Sequence, residues 1–400
     1  MNNKMGDKIK VALTCPASIP AVQFGGILFL GTHIAEQLGK NGHDVSIFTT
    51  DLDFANNTNT FNKNLPRNEK LEFFNIKRSH VIFKLKLFFI NPGMYNLIKN
   101  DKPDIIHAIG IRGFQALISA LVSKFNNIPL IISDQGGLFT HPDFNKGVIN
   151  KILYGLQEPI IKFIINQSNK IIVANEYEKS IFKKYTNDEK ICVVFNGINY
   201  QELIKPVNDF KIKYNIEKKF ILFLGRFNSV KGIDYLLKAY SQIVSEQTSK
   251  KIILVIMGVD FGYQKEMKDL IDKLNLKNEI LLLKKPSRED VISAYHSCEF
   301  LVLPSRWELS PLTPVEGFAC KKPTISSKLH GIPHVIEDGI TGLLVDPENT
   351  LDLTNAIKKL LENPDLVKQM GENGYKKVIE VFNSEHMTKK ILEVYKSVIN

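Results

Sequence analysis

Cysteine is scarce in this chain. Four occur in 400 residues, at positions 15, 192, 298 and 320, and no two are close enough to make a CxxC pair. That spacing excludes a zinc knuckle or a dithiol redox motif. Scattered thiols fit a reducing compartment, with each thiol acting as a small buried hydrophobe. No uninterrupted apolar run reaches ~18 residues, so a spanning helix is not expected. The opening MNNKMGDKIKVALTCP has basic residues but no long apolar stretch after them, so it does not read as a secretory signal. Seventeen prolines and 24 glycines are too few for a collagen-like or low-complexity chain. GxGxxG, GxxxxGK[ST] and HExxH are all missing, which leaves dinucleotide redox chemistry, P-loop chemistry and zinc proteolysis unsupported. Asp51-Leu52-Asp53 matches a metal-binding DxD by letters only. It follows FTT in the first half, far from the motifs described below, so no metal and no other cofactor is expected. No aromatic-rich basic ribbon suggests nucleic-acid binding.

What is present describes an ordinary soluble protein, 44% hydrophobic and 24% charged. At ~100–200 residues per domain, its length predicts two domains. The net charge is +10. Residues 1–200 carry 23 Lys and Arg against 16 Asp and Glu, or +7, and residues 201–400 carry 29 against 26, or +3. The excess in the first half suggests an anionic partner there: a membrane surface, a phosphorylated substrate or nucleic acid. The bland reading is that the lysines only solubilise the chain.

Both halves share one grammar. KVALTC reads as a strand, a loop ending in Gly25-Gly26 follows, and ILFLGTHIAEQLGKNG has the spacing of a helix. DVSIFTT, DIIHAIG, PLIISD and KIIVAN are further apolar strands. The second half restarts with FILFLG, the loop RFNSVKG and the helix IDYLLKAYSQIVSEQ, then alternates strand and helix to PTISS. From NTLDLTNAIKKLLEN onward it is helical. Continuous apolar strands alternating with helices predict parallel sheets covered on both faces. The turn at Asn196-Gly197 and the punctuation at Pro206 place a boundary near VFNGINYQELIKP. The fold class expected is therefore α/β, with two doubly wound Rossmann-like domains over 1–200 and 201–384. Their ligand is expected at the carboxyl ends of strands, in an interdomain cleft.

The strongest chemical signal is PSRWELSPLTPVEGFACKKPTI. Glu308 and Glu316 stand there with seven residues between them, after a strand and at the mouth of a helix. This resembles the paired-glutamate motif of retaining glycosyltransferases of the GT-B fold, family 4, the glycosyl transferases group 1 type. The likeness continues along the chain. Gly25-Gly26 resembles the family's N-terminal glycine loop, NGHDV the turn after its first helix, and VFNGIN its interdomain signature. GRFNSVKG resembles its phosphate loop and DGITGLLVDPEN its post-motif segment.

The resemblance implies a metal-independent hexosyltransferase of glycan biosynthesis. It would move a sugar from a nucleotide-sugar donor to a hydroxyl of a glycan, a lipid or a small molecule. A carboxylate accepts two hydroxyl hydrogen bonds at once, and charged acceptors bind more strongly. The resemblance assigns the donor sugar to Glu308 and the ribose diol to Glu316. It assigns the diphosphate to Arg226 and Lys231, which follow a strand within one glycine-flanked loop. The N–H groups of Ser310, Leu312 and Thr313 are candidates for the diphosphate at the helix mouth. Pro311 and Pro314 have no N–H and depart from the family's commoner Phe-Gly sequence. Gly258, closing KIILVIMG, is a candidate for close approach to the nucleotide or a plain strand-end turn. Against these roles stand bland ones. Thr313-Pro314-Val315-Glu316 is a capping box on local sequence, Glu308 a solvated carboxylate, and Arg226 and Lys231 exposed cations.

On the first half, Gly25-Gly26 opens a helix whose N-terminus can meet phosphate or acceptor. His107 ends a strand, with a sugar- or acceptor-site role and a structural one equally open. In SDQGG, Gln135 stands where many relatives have histidine, and Asp134 reads as a cap on the following loop. KRSHVIFKLKLFFINPGMYNLIKN mixes Lys77, Arg78, Lys84, Lys86 and Lys99 with Phe83, Phe88 and Phe89 and has no acid. It fits either a weak contact with an anionic membrane or a helix packed with a basic rim. A cytoplasmic protein, peripheral at the membrane face, is expected. The C-terminal helix from about 385 to 400 is expected to cross back to the N-terminal domain. Rival readings are a sugar-nucleotide epimerase or phosphorylase of the same fold, and a non-catalytic nucleotide-sugar-binding protein.

Overall fold

The computed structural model describes residues 8–53, 60–85, 88–134, 136, 138, 140–142, 147, 155–246 and 252–399. Gln135 and Lys86 lie outside these. The chain divides into two compact units, 1–197 with 384–400, and 198–383. Each is an α/β body built on its own sheet.

In the first unit, seven parallel strands run in the order Ile191–Val193, Lys170–Val173, Leu130–Ser133, Ile105–Ile109, Lys10–Thr14, Asp44–Thr50 and Asn75–Ser79, with Asn68–Lys70 added antiparallel at the edge. In sequence terms the strand Lys10–Thr14 has its successors Asp44–Thr50 and Asn75–Ser79 on one side and the later strands on the other. The winding direction therefore reverses beside it. Val11, Leu13, Ile105 and Ile131 are buried from both faces and share a core with Leu30, Ile34 and Leu38 of the helix Gly26–Lys40. The same core contains Met387, Ile391, Val394 and Tyr395 of the helix Ser384–Lys396. This last helix packs on Gly26–Lys40.

The second sheet is wholly parallel, ordered Ile280–Lys284, Ile252–Gly258, Lys219–Leu224, Leu301–Leu303, Thr324–Ser327 and Gly342–Val345. Its reversal lies between Lys219–Leu224 and Leu301–Leu303. Open α/β sheets bind ligands outside the carboxyl ends of strands at such a reversal, because helices leave in opposite directions and open a crevice. Cys15, Cys298 and Cys320 are buried, Cys192 is half-buried, and all four are free thiols.

The segment from Lys77 to Asn100 is not one amphipathic helix. Val-Ile-Phe-Lys-Leu has the period of a strand, and Pro92 cannot continue a helix from its N-terminal side. The observed sequence is the strand Asn75–Ser79, a hairpin pairing Phe83–Leu85 with Phe88–Ile90, and the helix Gly93–Asp101. Two of its cations are used internally. Lys77 pairs with Asp101, and Arg78 is buried, bonding Pro66 O at 2.9 Å, Ile19 O at 2.7 Å and Glu69 at 2.7 Å.

The helix Ser384–Lys396 places four large buried side chains in the first unit's core. Each such side chain contributes ~1.5–3 kcal/mol against a typical domain stability of ~5–15 kcal/mol. Deleting residues 384–400 is therefore expected to abolish or sharply lower the unfolding transition of the first unit in calorimetry. A truncated chain with the full-length thermogram contradicts this packing.

Candidate functional site

The site in the second unit is built by two loops at the reversal. The strand Lys219–Leu224 runs into Gly225 and Arg226, then a single 3-10 turn Ser229–Lys231 capped by the Asn228 side chain, which accepts from Val230 N at 2.9 Å. Gly232 follows with φ of 67° and opens the helix Ile233–Ser245. A β-carbon on Gly232 would lie 1.9 Å from Pro304 O. Only glycine lets this turn reach the loop after the neighbouring strand Leu301–Leu303. That second loop carries Arg306, whose N–H donates to Val230 O at 2.7 Å.

These contacts bring Lys231 and Glu308 together as an ion pair, with both side chains 18% exposed. Ser305 Oγ lies 3.4 Å from the same Glu308 oxygen. Arg226 keeps solvent-accessible surface and its guanidinium lies over the Phe261 ring, 5.1 Å from the centroid. Protein crowds it closely enough that desolvation lowers its pKa from the ordinary value, with the Glu308 carboxylate acting in the opposite sense. Arg226, Lys231 and Glu308 thus form one charged group.

Glu316 lies on the helix Leu312–Ala319. That helix starts at Leu312 with Pro311 as its cap and has no side-chain cap. The capping-box reading of Thr313 and Glu316 is therefore wrong. Thr313 is already inside the first turn, and the Glu316 carboxylate turns to Arg288 Nη1 at 2.8 Å and the Tyr295 hydroxyl at 2.8 Å. Desolvation acts to lower the Arg288 pKa, but the Glu316 carboxylate outweighs it and holds the group above its ordinary value. Burial first, then Glu316, pushes the Tyr295 hydroxyl well up, so it stays a proton donor. Leu312 and Thr313 are first-turn residues, whose N–H groups have no intrahelical acceptor; Ser310 just precedes them.

Several expected site residues sit elsewhere. Gly258 ends its strand, but a β-carbon there would lie 1.8 Å from Gly225 O and 2.9 Å from the Phe227 ring. Its missing side chain lets this strand end pack against the Gly225 loop. His107 is the middle residue of Ile105–Ile109 and is fully buried. Its ring nitrogens contact the Tyr395 hydroxyl at 2.7 Å and Ser133 Oγ at 2.6 Å, and burial pushes its pKa down to about 3. It is a neutral internal tie to the C-terminal helix, with no open face for the sugar- or acceptor-site role. Gly25 has φ of 95° with open space where a side chain would start, and Gly26 begins the helix Gly26–Lys40. Asp134 caps its loop, accepting from Gly136 N at 3.0 Å and Leu138 N at 2.9 Å. Asp51 bonds His80 and Val81 N, and Asn62 Nδ2 reaches Asp53 at 3.0 Å, so the DxD letters are structural. Trp307 is buried.

Three residues of the site escaped the sequence reading. Arg288 and Tyr295 have a signal in retrospect, a seven-residue spacing on one helix. Arg306 stood inside the quoted motif. Its guanidinium takes Asp234 with two 2.8 Å bonds, Glu348 at 2.7 Å and Ser229 O at 2.5 Å. Among the described residues no group of three or more His, Cys, Asp or Glu converges as a metal-binding set.

Comparison with known proteins gives the same picture over both units. Residues 205–377 match the family described as glycosyl transferases group 1, and residues 24–202 match Glycosyltransferase Family 4. An uncharacterized glycosyltransferase of Methanocaldococcus jannaschii is 30% identical over 308 residues, 75% of this chain and 77% of that protein. The N-acetyl-alpha-D-glucosaminyl L-malate synthase of Bacillus anthracis is 24% identical over 405 residues, 98% of each chain. The crystal structure of Anabaena HepE in complex with UDP and glucose superposes with a TM-score of 0.76 at 18% identity, covering 98% of this chain and 100% of that one.

The Gly232 contact gives a direct test. Gly232→Ala puts a side chain into Pro304 O at a left-handed φ, and is expected to destabilise the second unit by ~2 kcal/mol or more. Urea unfolding measures it. An Ala variant as stable as the parent contradicts the close approach of the two loops.

Proposed function

The chain belongs to the glycosyl transferases group 1 family and is a GT-B glycosyltransferase; from that premise we propose that its second unit binds the nucleoside diphosphate of a hexose donor. We further propose that it transfers the sugar with retention and without a metal ion. The observation that carries this is the convergence of Arg226, Lys231 and Glu308 at the reversal of the second sheet, with Glu316 on the helix that follows. HepE holds UDP in its crystal structure, which makes UDP the first probe. The malate synthase relative names a small hydroxy acid among acceptors used in the family.

In this reading Arg226 and Lys231 take the diphosphate, together with the N–H groups of Ser310, Leu312 and Thr313 at the helix mouth. Glu316 accepts from the ribose diol and Glu308 from the donor sugar. The bond from sugar C1 to the phosphate oxygen breaks, and its electron pair stays on the diphosphate. The acceptor oxygen bonds C1 on the same face, and its proton passes to the leaving phosphate oxygen. The protein's part is positioning and charge neutralisation. Gly25 and Gly26 offer a helix N-terminus in open space on the acceptor-side unit.

The pairing of both carboxylates with cations of the protein supports metal independence. Turnover with the donor is expected to survive a chelator. Replacing both Arg226 and Lys231 by Ala is expected to cost at least ~100-fold in kcat/KM, and Arg226→Lys alone also lowers it because the planar fork is lost. Activity abolished by chelator and restored by magnesium or manganese overturns this assignment.

The first unit also fits a membrane-borne acceptor. Ile82 is 68% and Phe83 58% exposed on the hairpin, with Lys84 and Leu85 exposed beside them. Ile19 and Val22 are exposed on a loop that flanks the same small core, made by Ala17, Ala21, Val81 and Phe89. An exposed apolar edge with a lysine, in a segment with no acid between residues 73 and 100, suits an anionic lipid surface. Vesicles containing phosphatidylglycerol are expected to co-sediment the protein at low salt. The Ile82→Ser/Phe83→Ser double variant is expected to lose this while keeping donor binding. Equal recovery on neutral and anionic vesicles removes the membrane contact.

A further inference from the structure

Glu316 is held from a single helix. Arg288 and Tyr295 are seven residues apart on Arg288–Ser297, two turns at 3.6 residues each, so they leave it on one face. Arg288 donates to Oε1 and Tyr295 to Oε2, each at 2.8 Å. A carboxylate oxygen has two acceptor directions. The two donors fill one on each oxygen and leave one on each free. Tyr295 is fully buried and cannot swing away. The helix that carries the pair is itself fastened, since Asp290 takes Lys213 at 2.6 Å and Ser287 Oγ at 2.9 Å.

We infer that Arg288 and Tyr295 are positioning residues that fix the Glu316 carboxylate to accept from both hydroxyls of a ribose, and that they thereby set discrimination between ribonucleotide and 2′-deoxyribonucleotide donors. The inference rests on the ribose role of Glu316 and adds what makes that role selective. A carboxylate fixed by two donors cannot turn to follow one hydroxyl when the other is missing. The unfilled acceptor direction then stays unpaired, and a site built around a hydroxyl rejects the analogue lacking it. A carboxylate released from either donor can rotate and recover part of the loss. Arg288 has a second effect. Its positive charge offsets Glu316 and lowers the repulsion that a bare carboxylate exerts on the diphosphate.

Calorimetric titration of the full chain with UDP, ADP and GDP, each against its 2′-deoxy form, tests this. For the tightest of the three, the parent is expected to prefer the ribo form by about tenfold or more. Tyr295→Phe is expected to cut that preference to about twofold, with a larger effect on the donor's KM than on kcat. Arg288→Met is expected to do the same and to weaken both forms, and Arg288→Lys to recover part of the affinity by restoring charge.

If the parent shows no preference, or binds none of the three, the ribose role of Glu316 falls and the inference with it. If the parent discriminates and Glu316→Ala does not, the ribose role stands. Full discrimination in both Tyr295→Phe and Arg288→Met then overturns the positioning role alone. Should Tyr295→Phe fail to fold, the Arg288 variants decide the question, because that side chain is one-third exposed and its loss leaves no buried void.

Discussion

Arg306 is the interaction on which the candidate donor site depends. It belongs to the loop after Leu301–Leu303, but nearly everything it binds belongs to the neighbouring loop and helix. Its guanidinium grips Asp234 with two bonds and Ser229 O with a third, reaches Glu348, and lies 4.1 Å above the Tyr235 ring. Its backbone N–H adds the bond to Val230. One planar fork therefore locks the turn that carries Lys231 to the loop that carries Glu308, two residues beyond Arg306 itself. Lysine has the charge but not the fork, and could not hold four acceptors in fixed directions. Desolvation works against the charge on Arg306, and the carboxylate bonds more than repay it, raising its pKa above the ordinary value.

That lock makes the electrostatics of the site specific. Two carboxylates near a diphosphate would repel it; unit charges 4 Å apart interact by about 4 kcal/mol at an effective dielectric constant near 20. Here neither carboxylate is bare. Glu308 faces Lys231 and Glu316 faces Arg288. Among the described residues Arg226 has no ion-pair partner, so of the cations facing Glu308 and Glu316 it is the one left unneutralised. Such a site can offer oxygen acceptors to hydroxyls without excluding the anion to which those hydroxyls are attached. The chemistry of a nucleotide sugar asks for this combination.

The sheets were legible because their strands are buried on both faces and so read as continuous apolar runs. Three of the four edge strands of the two large sheets were not. Gly342–Val345 and Ile191–Val193 are short, and Asn68–Lys70 is polar, so neither length nor period announced them. In the site, the glutamates and the cationic loop stood out by residue type and order. The failures share one cause, which is that local sequence has no access to what occupies the space beside a residue. Gly258 is glycine because the Gly225 carbonyl lies against it. His107 is histidine because Tyr395, almost 300 positions later, needs a partner inside the core. Glu316 had the letters of a capping box, yet its partners come from another helix. Arg78 and Lys77 read as a basic surface and are in fact committed to internal acids and carbonyls.

The two units show how one winding order can serve two chemistries. Both sheets reverse direction beside their first strand, so both present a crevice at equivalent strand ends. In the second unit that end carries fixed charge. In the first, several of the described groups near it are neutral or already engaged. Gly110 and Gly25 adopt left-handed φ values of 86° and 95°, His107 is sealed inside, and Asp134 and Asp51 are consumed by N–H groups and a histidine. Function of this kind is set by loops grafted onto a repeated frame, not by the frame. A diphosphate has strong reason to choose the second unit. Under the proposed function, the neutral acceptor hydroxyl, which needs a hydrogen-bonding edge and no counter-charge, goes to the helix N-terminus at Gly26.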